Sequence, residues 1–142
     1  MGQISATVER ACHLIGLYLD ARVSELGITQ AEAHVLAHVS SRGPTAIAAL
    51  HHEFGHKRST LTNVVDRLER RKLVRRELNP KDRRSFVIHL TPSGRRTGRR
   101  VTSALDELER DVAASVAERD LAGLRTTAQA LGKVTRQRIQ RR

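Results

Sequence analysis

The chain has 142 residues, a single cysteine (Cys12) and a formal net charge of +11, from 26 Lys and Arg against 15 Asp and Glu. That length suits one compact unit rather than an enzyme domain beside a separate binding domain, and one thiol cannot build an intrachain disulfide framework. With no leader-like apolar run and nothing near the roughly 18 apolar residues of a membrane span, the cytosol is the expected compartment.

The excess charge sits in one place. The segment Lys57–Arg100 holds 15 basic and four acidic residues, an excess equal to that of the whole chain, and the remainder is neutral. A basic block in an otherwise neutral chain implies a polyanionic partner, and its arginine bias suits bidentate contacts with phosphate and guanine.

In chain order, the first predicted helix runs from about Ile4 to Leu26. Ile4, Val8, Ala11, Ile15 and Tyr18 form a stripe, and Leu14, Leu17 and Leu19 lie off it. That apolar surface is too wide for one neighbour, as in a helix facing both its own subunit and a partner. Gly27 stops it. Thr29-Gln30-Ala31-Glu32 has capping-box spacing and opens a second helix with Val35, Leu36 and Val39 inward. After Gly43-Pro44, a short third helix from about Thr45 to Glu53 buries Ile47 and Leu50, and Gly55 marks a tight turn.

The fourth helix begins near Lys57, with Leu61, Val64, Val65 and Leu68 as its core stripe. Its opposite face carries Arg58, Ser59, Thr62 and Asn63, short or forked hydrogen-bonding groups suited to base edges. From Val74 the apolar period changes to two: Val74 to Leu78, a turn through Asn79–Arg84, then Phe86, Ile88 and Leu90 alternating with Val87 and His89. This predicts a β-hairpin with a basic tip. Thr91-Pro92 caps a long fifth helix striped by Val101, Leu105, Leu108, Val112 and Val116. A sixth runs from about Glu118 to the C-terminus with Leu121, Leu124, Leu131 and Val134 on one side.

This order of elements resembles the MarR family of winged helix-turn-helix regulators over nearly the whole chain. Two stretches carry the resemblance most specifically. One is Ser59-Thr60-Leu61-Thr62 with Val65-Asp66-Arg67-Leu68-Glu69; the other is Asn79-Pro80-Lys81-Asp82-Arg83-Arg84 leading to His89-Leu90-Thr91 and Gly94. The resemblance implies a mainly α (α+β) fold. A winged helix-turn-helix lobe would cover residues 29–91, with a β-hairpin wing, and residues 1–28 and 92–142 would form a helical dimerisation region. It implies a sequence-specific regulator of transcription that binds double-stranded DNA, a ligand-responsive repressor with no enzymatic activity and no cofactor.

Carried over by residue, the resemblance places Lys57, Arg58, Ser59, Thr60, Thr62 and Asn63 in or beside the major groove and Arg67 on phosphate. At the wing, alongside Arg83, it places Arg84 in the minor groove, oriented through an ion pair with Asp82. A narrow A·T-rich minor groove concentrates the negative potential that attracts arginine. Dimerisation through Ile4, Val8, Ala11, Ile15, Leu121, Leu124, Leu131 and Val134 would set two recognition helices on half-sites roughly 34 Å apart in a pseudo-palindromic operator. The family also implies a small-molecule effector between the dimer helices and the lobe. With only Tyr18, Phe54 and Phe86 as aromatics, a flat aromatic effector is disfavoured. Two positions depart from the family pattern: Lys57 stands where a capping serine is common, and Lys72 where glycine usually follows the helix.

Other chemistries are visible in the sequence. His52-Glu53-Phe54-Gly55-His56 matches the zinc-peptidase pattern H-E-x-x-H, but that chemistry needs an uninterrupted helix and Gly55 falls inside the motif. His34 and His38, one helical turn apart, could join His13 and Cys12 around a regulatory metal; the plainer expectation is a pair of partly buried histidines. Cys12 could sense peroxide, against the plainer expectation of a packed core thiol. A non-specific architectural DNA protein is the remaining alternative, and the Ser/Thr/Asn face argues against it.

Overall fold

The computed structural model describes residues 2–140. Its elements are α1 (Gln3–Val23), a 3₁₀ turn (Ser24–Leu26), α2 (Gln30–Arg42), β1 (Thr45–Ala46), α3 (Ile47–Phe54), α4 (Arg58–Arg70), β2 (Val74–Asn79), β3 (Asp82–Leu90), α5 (Pro92–Ser115) and α6 (Glu118–Gln140). The expected sixth helix is present to Gln140; residues 141 and 142 lie outside the described residues. Among the described residues no helix is long and apolar enough to cross a membrane.

Local chemistry sets the element ends. Thr29 and Glu32 form the reciprocal capping box: the threonine hydroxyl accepts from the Glu32 N–H at 3.2 Å, and the Glu32 carboxylate accepts from the Thr29 N–H at 3.2 Å. At the far end of α4, Lys72 takes φ 57°. This is the left-handed conformation that a missing glycine forces on it, at a cost of order 1 kcal/mol. It lets the Lys72 and Leu73 amides donate back to Glu69 and Leu68 at 2.8 and 3.0 Å, so the chain leaves the helix directly into β2.

The hairpin is part of a three-stranded antiparallel sheet of order β1-β3-β2, with Thr45 opposite Ile88 and Val74 opposite Leu90. The β1 strand corrects the expected helical start at Thr45: two residues pair with β3 before α3 begins. The sheet and α2, α3 and α4 enclose one core, in which Leu36, Leu50, Leu61, Val65, Leu68 and Ile88 are fully buried.

A second core joins α1 to α2 and α5 through Leu19, Val23, Ala33, Ala37, Val101 and Ala104, with the Tyr18 hydroxyl donating to the Ala104 carbonyl at 2.7 Å. Here the expected stripe of α1 is corrected in part. Ile15 and Tyr18 pack on this core as expected, but Leu19, placed off the stripe, is buried in it with Val23, whereas Leu14 and Leu17 are each 52% exposed.

By its contacts the chain divides into two units, Met1–Leu105 and Asp106–Arg142. In the second, the end of α5 and all of α6 bury none of their described residues, and Leu124 and Val134 are 62% and 51% exposed.

Candidate nucleic-acid interface

Helix α4 sorts its side chains by face. Leu61, Val64, Val65 and Leu68 are buried, while Lys57, Arg58, Ser59, Thr60, Thr62 and Asn63 are all exposed. The helix therefore holds a fixed row of hydrogen-bonding groups over a rigid core. No side chain caps its start: Lys57 occupies the cap position and Ser59 does not substitute. The first N–H groups of α4, at the positive end of its dipole, are left without a side-chain acceptor.

Arg67, expected on phosphate, is engaged within the protein. Its Nε donates to Glu32 at 2.6 Å, and the Glu32 side chain is only 4% exposed. The same carboxylate lies 3.9 Å from Arg71, whose guanidinium also donates to the Leu26 and Gly27 carbonyls at 2.6 Å each, satisfying the end of the 3₁₀ turn. Glu32 thus caps α2 and ties the α1–α2 corner to the last turns of α4, fixing the angle at which that helix is presented. The capping-box spacing revealed the first role. The second joins residues 35 apart in sequence and left no local signal. Asp66 and Glu69 on α4 likewise pair with Arg76 of β2 and so fasten the wing to the helix.

The wing tip is ordered by short polar side chains. Asn79 accepts from the Lys81 N–H at 3.0 Å and donates to the Ser85 hydroxyl at 3.2 Å, and the Ser85 hydroxyl donates to the Asp82 carbonyl at 3.2 Å. Asp82 does not form the expected ion pair with Arg84. Its carboxylate accepts from the Arg84 backbone N–H at 3.0 Å, a local turn that shapes the backbone under Arg84. Lys81, Arg83 and Arg84 are exposed. Deeper in the hairpin, Glu77 pairs with Arg75 and lies 3.0 Å from His89 Nε2. Burial, and then the Arg75 charge, lower the His89 pKa, so near neutral pH this is a neutral imidazole facing a carboxylate.

The other residues singled out above are scattered. His52 and Glu53 are exposed on α3, which ends at Phe54. Gly55, at φ 64°, turns the chain before His56, so the two histidines do not share a helix. His34 and His38 pack around Phe54, with ring centroids 6.4 and 5.6 Å from its ring, and burial followed by the His56 charge lowers the His34 pKa. Among the described residues no three His, Cys, Asp or Glu side chains converge as metal ligands. Cys12 is exposed rather than a packed core thiol, because α1 meets its core only from about Ile15 onward. Of the expected dimerisation residues, Ile4, Ala11, Leu124 and Val134 are exposed, and Val8, Ile15, Leu121 and Leu131 are half-buried. Ile15 packs on the second core of its own chain.

Known proteins match this arrangement. A model of the MarR family matches residues 26–85. The HTH-type transcriptional regulator PecS of Dickeya dadantii is 32% identical over 142 residues, which cover 98% of this chain and 84% of PecS. The HTH-type transcriptional repressor MdtR of Bacillus subtilis is 35% identical over 68 residues, 48% of this chain. The chain spans less than two thirds of the length of several curated relatives it matches: 44% of MdtR, and 44% and 63% of the B. subtilis regulators YsmB and YkoM. Among solved structures, S. aureus MepR in its DNA-binding conformation superposes with a TM-score of 0.82 at 21% identity, covering 93% of this chain and 98% of MepR. A MepR–DNA complex superposes at 0.77, again at 21% identity, covering 93% of this chain and 97% of MepR.

Proposed function

The chain belongs to the MarR family, and from that membership we propose that it is a sequence-specific regulator of transcription that binds double-stranded DNA as a homodimer and represses until an effector releases it. The observation that carries this reading is the α4 face: six exposed hydrogen-bonding or cationic residues from Lys57 to Asn63 on a helix whose opposite side is locked into the core.

In the proposed complex Arg58, Ser59, Thr62 and Asn63 read base edges in the major groove. Lys57 and the uncapped start of α4 take a phosphate, which supplies the acceptor the helix lacks. Arg84 enters the minor groove from the wing, its backbone set by Asp82. Arg67 acts differently from the expectation: through Glu32 it positions the helix, with only part of its guanidinium left for a phosphate. MepR, which shares this fold, has been seen in complex with DNA. The repressor sign follows MdtR. Such a protein acts in the cytoplasm, and the reading assigns it no catalytic step.

Dimerisation accounts for the second unit. The end of α5 and all of α6 bury no described side chain and expose Leu124 and Val134; they need an apolar cover, and a second copy supplies it symmetrically. Selection from a random duplex pool tests both halves of the proposal together. The expected product is an inverted repeat with half-site centres about ten base pairs apart. A pool that returns no enriched sequence would sink specific recognition in favour of architectural binding, and a single unpaired half-site would sink the dimer.

A further inference from the structure

Among the described residues, the exposed large apolar side chains lie on α1, α5 and α6 or at the turn between the last two, in the regions assigned above to dimerisation, with two exceptions. These are Leu78 of β2 and Phe86 of β3, 61% and 40% exposed and directly opposite each other in the hairpin. The period of two sets them on the inner face of the ribbon, which carries Val74, Arg76 and Leu78 on β2 and Leu90, Ile88 and Phe86 on β3. Val74, Ile88 and Leu90 pack in the first core, and Arg76 is fastened to Asp66 and Glu69 of α4. The pair is the next rung toward the tip, where the core has ended. Moreover, β2 is an edge strand, and native edges are normally kept short or charged because an apolar edge invites aggregation. Two adjoining apolar side chains there call for a partner other than the dimer helices.

The surroundings of the pair define that partner. Lys81, Arg83 and Arg84 are exposed on the tip just beyond it. Glu77, the acid next to Leu78, points to the other face of the ribbon, where it pairs with Arg75 and meets His89. A bulge between Leu78 and Asn79 twists the ribbon at this rung, and the bond from Asn79 to the Ser85 hydroxyl, 3.2 Å, holds it there. The surface is therefore a fixed apolar step beside a cationic tip. The DNA backbone has the complementary character, because its charged phosphates alternate with deoxyribose rings whose C–H faces line the walls of the minor groove.

We propose that Leu78 and Phe86 rest against deoxyribose rings along one wall of the minor groove while Arg84 enters it, an inference that rests on the DNA-binding reading above. The step contributes affinity without charge. It seats the wing by shape and leaves sequence to be read by α4.

The test is a fluorescence-anisotropy titration of the full chain with the duplex upstream of its own gene and with random duplex, across a salt series. The variants are Leu78→Thr, Phe86→Thr, Phe86→Leu and Arg83→Ala; threonine keeps strand propensity while removing apolar area. Each threonine variant should weaken binding about tenfold through lost apolar burial. The factor should be the same on both duplexes and at every salt concentration, since an apolar contact releases no counterions. Phe86→Leu, which keeps an apolar face, should stay within about threefold of wild type. Arg83→Ala, which removes a cation from the same tip, should flatten the salt dependence.

Wild-type affinity in both threonine variants overturns the proposal, as does a loss in Phe86→Leu equal to that in Phe86→Thr. A threonine loss that also flattens the salt dependence would mean that the whole wing had moved off DNA, and a loss confined to the upstream duplex would mean a base contact; either overturns the sugar contact. Unchanged DNA affinity with a weakened dimer in sedimentation would assign the pair to a second copy instead. Equal wild-type affinity for the two duplexes would sink sequence-specific recognition but leave this comparison intact, and wild-type binding to neither would sink both.

Discussion

Gly94→Ala is expected to lower the folding stability of the chain by about 3 kcal/mol or more, read as a fall in the urea midpoint at unchanged slope. A Cβ on Gly94 would overlap the carbonyl oxygen of Leu73, and the two nearest atoms after it are also Leu73 backbone. That carbonyl cannot swing aside. It accepts from the Thr91 N–H at 3.1 Å, and the Thr91 hydroxyl in turn accepts from the Gly94 N–H at 2.9 Å. Leu73 and Val74 on either side are core residues. Gly98, one turn further along α5, provides the contrast. Its added Cβ would meet the Ser40 side chain at 3.2 Å and the Leu36 carbonyl at 3.3 Å, contacts that a few tenths of an ångström relieve. Gly98→Ala should therefore stay within about 1 kcal/mol of wild type, with helix propensity offsetting the crowding. Equal midpoints for the two variants would mean that α5 does not dock on the α4–β2 turn as described.

Affinity for the operator is expected to fall about a thousandfold between roughly 50 and 200 mM salt, a log–log slope of about −5 or steeper. The raw charge of the basic block overstates the cations available for phosphate. Arg67 is held by Glu32, Arg75 by Glu77 and Arg76 by Asp66 and Glu69, and Arg71 is spent on the Leu26 and Gly27 carbonyls. Arg96, Arg99 and Arg100 line a cleft between α1 and α5. Arg70 and Arg95 donate to the Asp66 and Leu90 carbonyls, and Lys57, Arg58, Lys81, Arg83 and Arg84 remain exposed at the start of the recognition helix and on the wing tip. Five such residues per protomer, doubled in a dimer, are enough to neutralise six or more phosphates. A slope near −2 in a filter-binding or anisotropy series would mean that most of them face away from DNA.

Much of this arrangement is legible before any coordinates, because short-range rules govern it. The capping box at Thr29, the proline after Thr91 and the period of two in the hairpin each mark an element within a few residues. The family resemblance adds Lys72, which stands where glycine usually follows the helix and takes the left-handed conformation in its place. What escapes the sequence depends on distant partners. The β1 strand is two residues long and exists through pairing with Ile88 and Val87. The wide apolar surface of α1 does not reveal which side meets the core, and Leu19 rather than the Ile4–Tyr18 stripe supplies its most buried residue. Arg67 looks like a phosphate ligand until Glu32 is found beneath it. Asp82 and Arg84 are rightly seen as neighbours, yet the bond between them runs through the backbone amide and not the guanidinium. The partition of the basic block into DNA-facing, internally paired and cleft-lining arginines is likewise a property of the fold.

The most direct test of the central claim is a titration of the wild-type chain and Arg84→Ala with the duplex upstream of its own gene and with random duplex of equal length. The account predicts that the wild type prefers the upstream duplex by about 10³-fold or more, and that Arg84→Ala loses about tenfold on that duplex at any one salt concentration. Equal, weak binding of the wild type to both duplexes would contradict it.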